Sequence, residues 1–283
     1  GTWGPFSDAV ANQVPPAGTR RALALVNAGS PVGLVIASGV VLVAGDRWRA
    51  AWCAFAAVGL LAAAAAWRVV SPNTVEPVRD EGRPRLGWFL NARSARLLIV
   101  ALGASITSGA YFAYAPDTAQ AAGLASGIGP AMWAVLGIAG AGVGVFGGGI
   151  ANRHGLRAPL AAMLVLLGGS TMVLLVAPGS VVAALGSAAL FGVGFTTGFA
   201  FVAMWSQEVF RDRPTTGFTL TIVSVATGFI VGPTLFGLLA TGFDRPVALL
   251  IVAMPAFLAA LVPPARGSSA PEAVAVGGPT NGP

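Results

Sequence analysis

Long apolar runs alternate with short polar connections along this chain, and the lengths of the runs predict the secondary structure. Eight stretches, at 22–44, 50–70, 97–115, 129–150, 158–177, 181–205, 217–240 and 246–262, are dominated by Ala, Gly, Val and Leu. Each approaches the roughly 20 residues that a helix needs to cross a hydrocarbon layer about 30 Å thick. They predict an all-α, polytopic transmembrane bundle of eight complete spans. Residues 1–14 read as the remainder of another span, ended by Pro15-Pro16, a pair that a helix does not easily continue through. Residues 71–96 carry eight charged side chains and several prolines, which predicts a solvated loop. Residues 263–283 are rich in Pro, Gly, Ser and Ala and predict a disordered tail. The expected organisation is therefore 1–70, a helical group; 71–96, a loop; 97–262, a group of six helices; and 263–283, a tail.

Composition agrees with the pattern. Hydrophobic residues make up 55% of 283 positions and charged residues 9%, with a mean hydropathy of +0.79. A soluble domain carries about 25% charged residues to cover its surface. The net charge of +6 would suit a nucleic-acid partner if it were gathered on one face. The arginines instead flank the apolar runs, which excludes that reading. Alternating the connections puts thirteen arginines on one side: 20, 21, 68, 79, 83, 85, 93, 96, 153, 157, 211, 213 and 266. Only Arg47, Arg49 and Arg245 fall on the other. The richer side is expected to be cytoplasmic, and the C-terminus with it.

Two stretches echo each other. Trp3, Asp8, Arg20-Arg21, then Gly29, Pro31 and Gly33, then Asp46-Arg47 follow the same order as Trp205, Glu208, Arg211 and Arg213, Gly228, Gly232 and Pro233, Asp244-Arg245. The two Asp-Arg pairs are 198 positions apart. Such repeats belong to transporter folds built from two related halves. The same offset places the counterparts of 97–177 before Gly1, so about three helices are expected to be missing.

The segment Gly148-Gly-Ile-Ala-Asn-Arg-His-Gly-Leu-Arg157 resembles the cytoplasmic loop signature of the major facilitator superfamily: a Gly, then Asp-Arg, then Gly and further basic residues. The signature residues are Gly148, Asn152, Arg153, Gly155 and Arg157, with Asn152 standing where the family has Asp. An Asn can cap a helix but cannot form that residue's charge pair. The Gly/Pro motifs at 29–33 and 228–233 resemble those of the family's helices five and eleven, and Trp48-Arg49 resembles the opening of its helix six. The resemblance covers nearly the whole chain, as helices four (in part) to twelve. It implies a secondary active transporter of a small organic solute, working by alternating access, with proton coupling as one option and Gly/Pro contacts between the two halves. Together with an Arg-only, Ala-rich composition, it implies a bacterial inner membrane. The alternative is a shortened, non-transporting membrane fragment or interaction partner.

Candidate site residues follow from this frame. Thr107, Tyr111 and Tyr114 share a face of the helix at 97–115, and the resemblance makes that helix line the central cavity. The tyrosines read equally as interfacial anchors. Thr196, Thr197 and Asn27 are further cavity candidates, although a threonine in a span often bonds its own backbone. Asp8 and Glu208 are the carboxylates that could couple a proton, or form ion pairs at helix ends with the arginines beside them. Residues 142–147 match G-x-G-x-x-G, but they lie in an apolar helical run, where Gly140, Gly144 and Gly148 offer a flat packing face. The lone Cys53 and lone His154 give no metal cluster, and the sequence carries no catalytic triad or paired buried carboxylates. The expectations are no enzyme, no cofactor and no metal. Membrane lipid and a small solute are the expected partners, with no nucleic acid and no obligate protein partner.

Overall fold

A computed structural model describes residues 16–45, 47–69, 91–211, 214–262 and 264, with backbone alone at 16–28, 69, 144–154 and 214–215. Eight helices follow one another: α1 Pro16–Ala44, α2 Trp48–Val69, α3 Ala92–Ala121, α4 Ile128–His154, α5 Arg157–Val176, α6 Val181–Val209, α7 Pro214–Gly242 and α8 Arg245–Ala260. Five of them, α2, α3, α5, α6 and α7, are long and apolar enough to cross a membrane. The described apolar parts of α1, α4 and α8 are shorter. The eight predicted spans each correspond to one helix. The partial span at 1–14, with Asp8, lies outside the described residues, as do most of the loop and the tail.

Several helices run past the hydropathy reading: α1 begins at Pro16, α3 spans Ala92–Ala121 and α6 ends at Val209. The last residues assigned to the loop, 92–96, are the first turn of α3. Asn91 caps it: its side-chain oxygen accepts from the Arg93 and Ser94 amides at 2.9 and 3.0 Å, and Ser94 Oγ accepts from the Asn91 amide at 2.9 Å. This reciprocal cap holds the first turn together, although its polar residues and two arginines lower the local hydropathy.

Helix α3 is the centre. It packs on α7, α8, α5, α6 and α4, while α1 lies along α4 and α2 lies beside α1. In lipid the hydrophobic effect does not draw helices together, so close backbone approach must supply the attraction. Glycines provide it. A Cβ on Gly192 of α6 would overlap the Leu136 carbonyl of α4, and one on Gly140 of α4 would meet Thr196 Oγ1 at 2.5 Å and the Gly192 carbonyl at 3.2 Å. Gly140 thus gives the flat face expected of it, and residues 142–147 lie within the continuous helix α4. Gly228 and Gly232 of α7 press on Leu102, Ser105 and Ile106 of α3, and Gly109 of α3 meets Phe229 and Pro233 in return. On α3, a Cβ on Gly103 would meet the Pro255 carbonyl of α8 at 2.7 Å.

The outside of the bundle is apolar. Helix α2 carries Trp52, Leu60, Leu61 and Trp67 outward, and α8 carries Leu250, Met254 and Leu258. Side chains of this kind suit acyl chains rather than water.

Candidate functional site

Helix α3 presents two different faces. Thr107, Tyr111 and Tyr114 do share one, as their spacing predicts, and it turns into the bundle. The Thr107 hydroxyl donates to the Val252 carbonyl of α8 at 2.7 Å and accepts from the Ala256 amide at 3.2 Å. It therefore bridges one turn of α8 beside Pro255, whose missing amide already weakens the ladder there. The Tyr111 hydroxyl is 2.8 Å from Ser187 Oγ of α6, which donates to the Ser170 carbonyl of α5 at 2.7 Å. Both Thr107 and Tyr111 are buried, and these polar atoms are taken up by the protein itself. Tyr114 stacks on Phe236 of α7, ring centroids 4.3 Å apart.

The other face carries Phe112, about 140° around the helix from Thr107. Phe112 stacks near Trp133 of α4 at 5.4 Å and meets Phe195 of α6 edge-on at 5.1 Å and Phe229 of α7 at 6.1 Å. Phe199, one turn beyond Phe195, lies 4.8 Å from it and 6.4 Å from Phe229. Four helices therefore contribute rings to one wall, and each of these five rings is partly exposed.

Behind the wall the packing is closed. Phe191 is fully buried, stands edge-on to Phe112 at 5.2 Å and lies flat against Tyr111 at 3.9 Å. The Tyr111–Ser187–Ser170 chain thus fixes the layer on which the exposed rings rest. The wall is uncharged. Among the described residues, the ionised side chains of α3, α6 and α7 lie near helix ends, at Arg93, Arg96, Asp117 and Glu208. Asp117 pairs with Arg245 at 3.1 Å, tying the end of α3 to the start of α8.

The other sequence candidates are dispersed. Thr196 packs against Gly140 in the α4–α6 contact. Thr197 is 2% exposed, and its hydroxyl has no hydrogen-bond partner. Thr118, Thr221, Thr227 and Thr234 bond a carbonyl four residues back, so Thr197 departs from the local habit of the chain. It lies two residues from both Phe195 and Phe199, which puts it on the opposite side of α6. Asn27 falls in α1, where the side chain is not described. The same holds for Gly148, Asn152, Arg153 and His154 at the end of α4. Gly155 follows with φ +69°, the left-handed residue that closes a helix, and Arg157 opens α5, exposed.

Among the Gly/Pro motifs, Gly228, Gly232 and Pro233 pack α7 on α3, as described above. In α1, a Cβ on Gly29 or Gly33 would meet nothing within 4 Å. The close approach of α1 to α4 is made by the opposite helix: a Cβ on Gly137 would meet the Pro31 carbonyl and Val35 at 2.8 Å. A shallow groove of about 540 Å³ lies between the end of α1 and the start of α2, lined by Ile36, Val40, Val43, Arg47 and Ala51. None of the aromatic wall contributes to it. No group of three metal-ligating side chains occurs among the described residues.

Phe112, Trp133, Phe195, Phe199 and Phe229 were not singled out by the sequence. The repeat of Phe191, Phe195 and Phe199 at four-residue spacing is the signal that could have found three of the rings in this cluster.

Residues 1–226 match the family model described as Major Facilitator Superfamily. No curated protein matches the chain at a significant level.

Proposed function

The chain belongs to the major facilitator superfamily, and on that premise we propose that it is a secondary active transporter that moves a small organic solute across a bacterial inner membrane by alternating access. Membership makes it a multi-pass membrane transporter rather than an enzyme. The observation that carries the finer reading is the wall of α3, α4, α6 and α7. It is partly exposed, uncharged and backed by a fixed layer, whereas the outward faces of α2 and α8 carry scattered aliphatic and Trp side chains. An apolar surface with rigid support is part of what a solute site requires.

In this reading, the residues after α2 form the six-helix half, and α1 belongs to the other half. The seam between them runs along α1 and α4, where Gly137 lets the Pro31 carbonyl approach. Rocking about that seam would expose the wall to each side in turn. The arginine asymmetry supports a cytoplasmic C-terminus. Among the described spans, carboxylates lie only near helix ends, so coupling to a proton would fall to Asp8, outside the described residues.

The test is solute release from proteoliposomes. Vesicles holding the full chain are loaded with a pool of small neutral organic solutes, and efflux is followed by mass spectrometry. Saturable, protein-dependent efflux of at least one solute is expected, and its loss in Gly137→Leu would place the motion at the α1–α4 seam. Efflux equal to that of protein-free vesicles for every member would overturn the proposal.

A further inference from the structure

We propose that the solute is a flat, uncharged aromatic compound that seats against Phe112, Phe195, Phe199 and Phe229, with Trp133 at its edge. This rests on the transporter reading and deepens it. The rings offer both edges and faces: Phe195 stands at 80° to Phe112 and at 86° to Phe229, while Phe112 and Phe229 are inclined by 34°. An added ring can therefore meet one neighbour edge to face and another offset, the two arrangements that ring quadrupoles prefer. Phe195 and Phe229 sit midway along their helices, the level at which transporter sites lie.

The surroundings narrow the class. A sugar also stacks on aromatic faces, but its rim of hydroxyls needs partners once water is removed. The hydroxyls of Thr107 and Tyr111, on the other face of α3, and of Ser187 are already bonded within the protein, and the unpartnered Thr197 hydroxyl lies on the opposite side of α6 from Phe195 and Phe199. An anion would meet the negative faces of the rings, and among the described residues the arginines of α3 lie at its start, away from them. A cation would be drawn to those faces, but among the described residues the carboxylates of α3 and α6 lie near helix ends rather than beside the rings. The Asp117 carboxylate is held by Arg245. Among the described residues, these surroundings favour an uncharged ring system.

The test uses the full chain in lipid nanodiscs, with tritiated 2-naphthol as the probe. Saturable binding is expected, displaced by unlabelled 2-naphthol and not by decahydro-2-naphthol, which has the same skeleton without the π-face. Phe112→Leu and Phe195→Leu are expected to weaken binding about 2- to 10-fold each, the range set by losing one ring pair. Phe195→Tyr keeps the ring and should bind as the parent does. Trp52→Leu, on the outward face of α2, controls for partition into lipid. Monodispersity on gel filtration separates weak binding from misfolding. Should a leucine variant fail to fold, the comparison of 2-naphthol with decahydro-2-naphthol on the parent chain decides alone.

Equal displacement by the saturated compound would overturn the proposal, as would unchanged binding in both folded leucine variants. Tighter binding of a trimethylammonium-bearing naphthalene or of a hexose would overturn the uncharged aromatic class. Saturable efflux of other solutes with no ring preference would sink this inference and leave the transporter reading standing. Ring-selective binding without efflux would support the site and sink transport.

Discussion

Adding one methyl group to α6 should have opposite effects at two glycines. Gly186 has no heavy atom within 4 Å of where a Cβ would sit. Gly186→Ala should therefore gain only what alanine gains over glycine in a helix, about 0.5–1 kcal/mol. At Gly192 the same methyl would overlap the Leu136 carbonyl, with the Leu136 carbonyl carbon and Cα both at 3.0 Å. These are backbone atoms of α4, so no side-chain rotation relieves the contact and the helices must part. Overpacking of this kind costs about 1–3 kcal/mol, which outweighs or cancels the propensity gain. Gly192→Ala should thus be less stable than Gly186→Ala by about 1–3 kcal/mol, or roughly 5- to 150-fold in the folding equilibrium. Reversible unfolding in mixed micelles of mild detergent and SDS measures the difference directly. Equal stability of the two variants would refute the claim that glycine contacts set the α4–α6 separation.

The remaining predictions concern polar links and use the same unfolding assay. Thr107→Val should lower stability by about 1 kcal/mol, the scale of an interhelical hydrogen bond in a membrane, and Thr107→Ser should restore it. Ser187→Ala leaves the buried Tyr111 hydroxyl without its partner and should cost about 1–3 kcal/mol. Adding Tyr111→Phe should recover part of that loss, a coupling that a double-mutant cycle reads out. The Asp117–Arg245 pair is 58% and 45% exposed, so Arg245→Gln should change stability by about 0–1 kcal/mol, and less at high salt.

Which parts of this structure were legible in the sequence follows from what lipid demands. Bilayer thickness sets a length that runs of Ala, Val and Leu reveal, so each predicted span overlaps one helix. Pro31, Pro116, Pro233 and Pro255 lie within helices without ending them, as membrane helices tolerate. The start of α3 was missed because hydropathy reads Asn91, Arg93 and Ser94 as loop, whereas their hydrogen bonds make a cap. The shared face of Thr107, Tyr111 and Tyr114 was legible from spacing alone. Its direction was not, because α3 is surrounded on most sides and periodicity cannot say which neighbour a face meets. Phe112 was overlooked for a related reason: in a membrane helix the lipid-facing, packed and cavity faces are all apolar. Gly137 stood unremarked in an apolar run, while the Gly29 and Gly33 of the resemblance carry no close contact in α1.

Thiol accessibility tests most directly whether the aromatic wall faces a cavity open to each side in turn. Cys53→Ser removes the lone native thiol, and Phe199→Cys then places one on the wall, with Leu258→Cys on the outward face of α8 as the control. A membrane-impermeant maleimide is applied to right-side-out and to inside-out vesicles. The account predicts labelling of Phe199→Cys from both sides, with label from either side reducing the fraction left for the other, and little labelling of Leu258→Cys. Phe199→Cys as unreactive as Leu258→Cys, or reactive from one side only under every condition of solute and gradient, would contradict it.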